Sequence, residues 1–360
     1  MAFSIGIVGL PNAGKTTLFN ALTGLGALVA TYPFSTVEPN RGIVPVPDSR
    51  LQVLEKILSP SRVVPATVEF VDIAGLVEGA SQGEGLGNRF LAHIREMDAL
   101  AHVVRCFEGG KVPHPYGAPD PRRDIELVEV ELALADLETV RRRQEKVARA
   151  VKAGERGARE EQEFLEKLAS HLETGKPARS FAGSTEERFL KPLFLLTAKP
   201  VVYVANVGED RKDSPLVAAL QEMAVERGVP LVVLAARWEA ELAELSPEEQ
   251  ELFRQSEGEE SGLVQLVKTG YRLGNLLTFF TATGPELRAW TIEAGTRAID
   301  AAAKIHSDFA KYFIRAEVIS YEELVRVGSL AGAREQGLVR IEGRDYVVQE
   351  GDLIHFRHNA

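Results

Sequence analysis

The residues best suited to chemistry stand at the start of the chain. Gly9-Leu10-Pro11-Asn12-Ala13-Gly14-Lys15-Thr16 has the G-x-x-x-x-G-K-[ST] spacing of a phosphate-binding loop, and the apolar run Phe3-Ser4-Ile5-Gly6-Ile7-Val8 leads into it as a strand. Gly9 and Gly14 let the main chain turn its N–H groups around an anion with no Cβ in the way. Lys15 supplies a cation for the outer phosphates, and Thr16 a hydroxyl for Mg²⁺. Thr17-Leu18-Phe19-Asn20-Ala21-Leu22 continues as a helix, whose N-terminus faces the same anion.

Such a loop needs partners from other strand ends. Asp72-Ile73-Ala74-Gly75 closes a strand with the D-x-x-G pattern, which assigns Asp72 to the Mg²⁺ shell and the Gly75 N–H to the γ-phosphate. Between these motifs lies Tyr32-Pro33-Phe34-Ser35-Thr36, where Thr36 is the candidate second hydroxyl ligand of Mg²⁺. Asn206-Val207-Gly208-Glu209 follows a further strand, at the sheet edge where a base lies. Guanine-selective sites read N-K-x-D there, the aspartate accepting from N1–H and the 2-amino group. Here Val207 stands for the lysine and the longer Glu209 for the aspartate. Adenine offers a donor at N6 and acceptors at N1 and N7, which Asn206 and nearby main chain can meet. ATP is expected in preference to GTP.

The elements that must position these residues are legible in outline. Up to about Asp120, β-branched runs alternate with helical patterns, predicting an α/β fold with a parallel-rich sheet. Val68–Ile73, Ala101–Cys106, Pro200–Ala205 and Pro230–Leu234 read as strands, and 109–121 as loop. Leu127, Val130, Leu134 and Leu137 make an amphipathic stripe, repeated by Leu165, Leu168 and Leu172. They predict an antiparallel helical hairpin at about 125–175, inserted into the α/β domain, with Gly154 and Gly157 at its turn. Its basic residues Arg141, Arg142, Arg143, Lys146, Arg149, Lys152, Arg156 and Arg159 outnumber Glu145, Glu155 and Glu160, which suits either a solvated surface or a polyanion. After Gly274 comes an α+β stretch: strands at 277–281 and 287–292, a helix through 296–305, then strands at 313–320, 345–349 and 353–356. Two domains follow, 1–276 with the phosphate loop and 277–358 as a small mixed sheet with one helix, in which Trp290, Phe309, Phe313 and Tyr346 read as core residues rather than as a base-stacking platform.

Bulk properties narrow the class. Of 360 residues 45% are apolar and 26% charged, which describes a globular chain rather than a disordered one. A net charge of −10 argues against coating the whole surface with nucleic acid, though not against a local basic patch. The lone Cys106, in a buried strand, predicts a reducing compartment. No membrane span or signal peptide is expected, so the location is cytoplasmic.

Taken together, Gly9–Thr16, Tyr32–Thr36, Asp72–Leu76 and Asn206–Glu209 resemble the Obg-like ATPases, the YchF subfamily of Obg-related phosphate-loop enzymes. Residues 79–88, Ala236-Arg237-Trp238-Glu239 and Ile305-His306-Ser307-Asp308-Phe309 extend the likeness over essentially the whole chain. The resemblance implies a G-protein-like domain, an inserted hairpin and a C-terminal TGS domain of the β-grasp type. It implies Mg²⁺-dependent binding and slow hydrolysis of ATP, and association of a monomer with the ribosome through ribosomal RNA or a large-subunit protein. It assigns the phosphates to Asn12, Ala13, Gly14, Lys15, Thr16 and Thr17, Mg²⁺ to Thr16 and Thr36, and the base to Asn206 and Val207. Leu76 stands where relatives carry a water-orienting glutamine, and His114 matches a histidine proposed in the family for that task. Asn12 matches an asparagine that binds K⁺ in some glutamine-lacking relatives, which makes K⁺ a second candidate ion. Slow cleavage suits a timer enzyme. A nucleotide-dependent binding switch with incidental cleavage, or a guanine-specific GTPase, are the alternatives.

Overall fold

Parallel strands joined by crossover helices organise the larger of two packing units, seen in a computed structural model that describes residues 3–24, 28–30, 39–73, 86–108, 112–181, 187–208, 214–246, 249 and 260–359. The strands are β1 (Phe3–Val8), β2 (Leu28–Ala30), β3 (Asn40–Pro45), β4 (Arg62–Val64), β5 (Thr67–Asp72), β6 (Ala99–Arg105), β7 (Val201–Asn206), β8 (Leu231–Leu234), β9 (Leu276–Thr283), β10 (Glu286–Glu293), β11 (Phe313–Ser320), β12 (Arg340–Glu342) and β13 (Asp352–His358). The helices are α1 (Lys15–Gly24), α2 (Ser49–Leu58), α3 (Leu86–Glu96), α4 (Pro121–Lys152), α5 (Ala158–Glu173), α6 (Glu187–Leu190), α7 (Pro215–Arg227), α8 (Ala236–Ala243), α9 (Gly262–Leu273), α10 (Ala298–Ile305), α11 (Ser307–Lys311), α12 (Tyr321–Val327) and α13 (Leu330–Glu335).

Packing assigns residues 4–43 and 69–266 to one unit and residues 1–3, 44–68 and 267–360 to the other. The first is built on a sheet of order β2-β3-β5-β1-β6-β7-β8. Within it β1, β6, β7 and β8 run parallel, with Ile7 opposite Ala101 and Val103 opposite Val204. Strands β6 and β7 are buried at every residue, as a sheet covered on both faces requires. All four parallel strands end at one edge, which gathers the loops after Val8, Arg105, Asn206 and Leu234.

Helix α4 starts earlier than the sequence pattern predicts. Pro121, read as part of a loop, occupies the first helical turn, where its missing N–H costs nothing, and the Asp120 carboxylate caps Arg123 N at 3.1 Å. The expected apolar stripe is also displaced, because Val130 and Leu134 are exposed. Ile125, Val128, Leu132 and Ala135 pack on the sheet side, whereas Leu137, Val140 and Val147 face Phe164, Leu165, Leu168 and Leu172 of α5. One helix serves two cores in turn, so a single stripe cannot describe it.

Two buried carboxylates fasten α4. Asp136 accepts from Leu196 N and Thr197 N at 2.8 Å each and from Thr197 Oγ1 at 2.6 Å, holding the segment that leads into β7. Glu129 receives Arg179 and Arg227, together with the Tyr203 hydroxyl at 3.3 Å. The His102 ring packs edge-on against Tyr203, with centroids 6.0 Å apart.

The second unit holds a mixed sheet of order β12-β11-β13-β9-β10-β4. A tight turn with Gly284 at φ 58° joins the antiparallel pair β9–β10, and β13 runs parallel to β9. Residues 44–68 join this unit because β4 pairs parallel with β10, Val63 opposite Leu287. Ala298, Ala301 and Ala302 of α10 pack on Phe279, Ile292, Phe313, Ile354 and Phe356, where the sequence predicts one helix on a sheet; α11, α12 and α13 are further helices that it does not predict. Phe313 is fully in that core, whereas Trp290, Phe309 and Tyr346 are packed against it but only partly buried. The strand expected at 345–349 is not formed. Its main chain instead bonds the residues before α10, Ala298 N to Tyr346 O at 2.7 Å and Val348 N to Thr296 O at 3.0 Å, leaving one isolated bridge, Arg297 with Val347.

Burial lowers the His102 pKa to about 4, with Glu129 opposing the shift. The unfolded chain, with its ordinary imidazole, takes up a proton first as pH falls, so stability is lost between about pH 6.5 and 4. From pH 7 to pH 5 this residue should cost about 2 kcal/mol of unfolding free energy. Urea titrations at both pH values should show that difference shrink in His102→Gln; an unchanged pH dependence would exclude His102 as its source.

Candidate nucleotide site

The phosphate loop adopts backbone angles that its sequence alone makes affordable. Gly9 has φ 146°, and a Cβ there would lie 2.4 Å from Val103 O. Gly14 has φ 97°, and its Cβ would lie 2.1 Å from Asn206 Nδ2. Asn12 sits at φ 64°, a region that asparagine tolerates better than most residues, and its Nδ2 donates to Pro113 O at 3.1 Å. Lys15 opens α1, and its ammonium donates to Leu10 O at 2.9 Å and Gly9 O at 3.2 Å. Burial lowers its pKa to about 8, against the pull of Asp72.

Two predicted metal ligands meet here. Thr16 Oγ1 donates to Asp72 Oδ2 at 2.8 Å, across the step from α1 to the end of β5. Burial raises the Asp72 pKa, while Thr16 and Lys15 oppose the shift. A hydroxyl and one carboxylate are hard oxygen donors, and among the described residues no cluster of three or more His, Cys, Asp or Glu could hold a metal. This donor set fits Mg²⁺, which keeps waters and shares its shell with phosphates, and does not fit a structural zinc. Thr36, Gly75 and Glu209 lie outside the described residues.

On the base side, Asn206 is buried at the end of β7. Its Nδ2 donates to Ala13 O at 2.9 Å and its Oδ1 accepts from Ala236 N at 3.0 Å, so one amide joins the phosphate loop to the first turn of α8. Val207 is buried beside it and donates its N–H to Leu234 O at 2.9 Å. Gly14, Lys15, Thr16, Phe107, Val207 and Trp238 are among the walls of a cavity of about 580 Å³. That volume suits a nucleotide. Motif spacing places Asn12, Gly14, Lys15, Thr16, Thr17, Asn206 and Val207 at this cavity but misses Arg105, Phe107, Val112 and Trp238. Phe107 follows β6 as Val207 follows β7, and that position at the carboxyl edge was the available signal. The Arg105 guanidinium lies 4.4 Å from the Phe107 ring centroid and donates to Val112 O at 3.0 Å, pinning the two wall residues together.

His114 is not an exposed loop residue. It is buried, its Nδ1 accepts from Tyr116 N at 3.1 Å, and Nε2 lies 2.9 Å from Asp124 Oδ2. The backbone contact puts the ring proton on Nε2, donating to the carboxylate. Arg123 holds the other oxygen of Asp124 at 2.9 Å. A path of polar contacts therefore runs from Asn12 through Pro113 and His114 to the first turn of α4.

Comparison with known proteins adds an independent line. A family model for 50S ribosome-binding GTPases matches residues 4–148, and one labelled YchF-GTPase_C, described as a protein of unknown function, matches residues 276–359. The ribosome-binding ATPase YchF of Bacillus subtilis is 50% identical over 366 residues, and that of Haemophilus ducreyi 51% over 363, each covering 100% of both chains. The Escherichia coli O157:H7 relative of the same name is 49% identical over 363 residues with the same coverage. The solved structure of the Schizosaccharomyces pombe YchF GTPase superposes with a TM-score of 0.87 at 35% identity, covering 99% of this chain and 97% of that one. The fold is that of phosphate-loop GTPases.

Gly14→Ala should weaken ATP binding at least tenfold, because its Cβ drives Asn206 away from Ala13. In calorimetric titrations the loss should be smaller when Gly14→Ala is made in an Asn206→Ala background. Equal losses in both backgrounds would show that the two residues are not coupled.

Proposed function

We propose a function from one premise: this chain belongs to the YchF family. It binds ATP with Mg²⁺, hydrolyses it slowly and associates with the ribosome; its bacterial relatives are named ribosome-binding ATPases. The observation that carries base choice is Val207, buried beside Asn206 where a guanine site places lysine. With Phe107 and Trp238 it gives the base an apolar slot, and Asn206 keeps one Nδ2 proton beyond its bond to Ala13. A second reading, GTP hydrolysis, draws on the Schizosaccharomyces pombe relative, which is named a GTPase, and on the matching GTPase model.

In this reading residues 12–17 wrap their N–H groups around the phosphates, and Lys15 exchanges the carbonyls of Gly9 and Leu10 for phosphate oxygens. Thr16, Asp72 and Thr36 would hold Mg²⁺, which would supply positive charge beside the outer phosphates. The Gly75 N–H addresses the γ-phosphate, and the hydrocarbon Leu76 offers no group to orient water, so turnover stays slow. To reach a water, His114 must give up Asp124 or Tyr116 N; otherwise it acts as a positioning residue. Asn12 is the residue to which a K⁺ requirement attaches.

Residues 4–43 and 69–266 carry the nucleotide site, and 277–358 form the TGS-type part of the second unit, which residues 44–68 also join, in a cytoplasmic monomer. At the hairpin turn Lys146, Arg149, Lys152, Arg156 and Arg159 are exposed and make no ion pair among the described residues. Nearer its foot Arg141, Arg142 and Arg143 are paired with glutamates. Unpaired cations at the turn suit ribosomal RNA phosphates.

Calorimetry with MgATP and MgGTP tests base choice: ATP should bind tighter, and Val207→Lys/Glu209→Asp should shift preference toward GTP. Tighter GTP binding by the unaltered chain would replace the proposal with the second reading. For hydrolysis, His114→Ala should lower the single-turnover rate with ATP affinity nearly unchanged, and Asp124→Asn should mimic it. Unaltered turnover in both would remove the histidine from the mechanism.

A further inference from the structure

We infer that the C-terminal unit carries a second ligand site, a cavity of about 360 Å³ that takes a nucleobase together with its phosphate. Its walls include Arg288 and Trp290 of β10, Phe309 of α11 and Arg357 and His358 of β13. The volume matches one mononucleotide and is too small for a duplex.

Flat-ring recognition is built into two layered pairs in these walls. The Arg288 guanidinium lies 4.8 Å from the Trp290 ring centroid. The Phe309 and His358 rings stack with centroids 4.1 Å apart and planes at 29°. Trp290 and Phe309 are packed against the sheet core without being fully buried, so they serve the core and the cavity at once. Guanidinium planes and aromatic faces are the surfaces on which unstacked bases settle. Trp290 is already oriented, its Nε1 donating to Thr281 Oγ1 at 2.9 Å.

The charge balance calls for an anion. Glu286 is shared by Arg62 at 3.8 Å and Arg288 at 3.7 Å. Glu317 is shared by Arg357 at 3.0 Å, Arg315 at 3.3 Å and Arg334 at 3.9 Å. Of the charged groups in the cavity walls, two are guanidiniums, Arg288 and Arg357, and one is a carboxylate, Glu286, in a chain whose net charge is −10. A phosphate meets that excess with bidentate geometry. His358 Nδ1 is moreover a buried side-chain atom with no hydrogen-bond partner among the described residues, polar capacity that the fold alone does not use.

The same base-plus-phosphate chemistry is offered by a free nucleoside monophosphate and by an unpaired nucleotide of RNA. The chain has two tryptophans, Trp238 in the first cavity and Trp290 in this one. Full-length Trp238→Phe therefore makes Trp290 the sole indole reporter. Its emission should respond saturably to AMP, to UMP or to a 5′-phosphorylated single-stranded hexaribonucleotide, with affinity at least tenfold weaker in Arg288→Ala and in Arg357→Ala. Arg288→Lys, which keeps the charge and loses the plane, should weaken the response as well. The far-UV circular dichroism spectrum and urea midpoint of each arginine variant check that the chain is folded. Tighter binding of the hexamer names RNA as the source, and equal binding names the free nucleotide. No change in Trp290 emission, a response that survives Arg288→Ala and Arg357→Ala, or equal binding of duplex RNA would each overturn the proposal.

Discussion

The Asn206 amide is the contact on which the nucleotide site depends. Its two polar atoms are spent on two different main chains, one in the phosphate loop and one at the start of α8. Loops that follow separate strands would otherwise choose their conformations independently, each at an entropic cost of about 1–2 kcal/mol per residue fixed. A buried amide that satisfies both removes that independence. It also dictates Gly14, since any side chain there would occupy the space of the amide nitrogen. The glycine of the phosphate loop thus answers to the base side of the pocket as well as to the anion.

A second set of constraints belongs to α4, which is held by carboxylates rather than by apolar packing alone. Asp136 takes three donors from one short segment, and Glu129 takes two arginines and a tyrosine. Buried charges of this kind add little net stability compared with a hydrophobic replacement, yet removing one partner alone is costly. They fix the helix in rotation and translation on the sheet, where apolar side chains would tolerate a slip. The Asn12–Pro113 and His114–Asp124 contacts are anchored at the first turns of the same helix.

Where local chemistry and tertiary packing agree, the sequence is readable. Strand, glycine, lysine and helix cooperate in the phosphate loop, and Thr16 meets Asp72 as spacing implies. The errors arise where one segment answers to two environments. Pro121 breaks helices in their interior yet suits their first turn, so the sequence pattern starts α4 too late. Val130 and Leu134 fit a buried stripe by spacing, but the buried face of α4 shifts when its partner changes from sheet to helix. His114 illustrates a different gap, because its burial depends on Asp124 and Tyr116 N, and no spacing rule reports such a closed set of partners. Phe107 escapes because it belongs to no motif, although strand order puts it at the correct edge, and Trp238 stands in a motif to which no role is assigned. The segment at 44–68 is the clearest limit, since a three-residue strand finds its partner more than two hundred residues away.

The unbroken run of α4 has a geometric consequence. Its 32 residues extend about 48 Å at 1.5 Å per residue. A tilt of about 5° at the end beside His114 sweeps the far end through about 4 Å. Any change in the angle at which the sheet holds its first half is thereby magnified at the far end, with no break in the helix along the way.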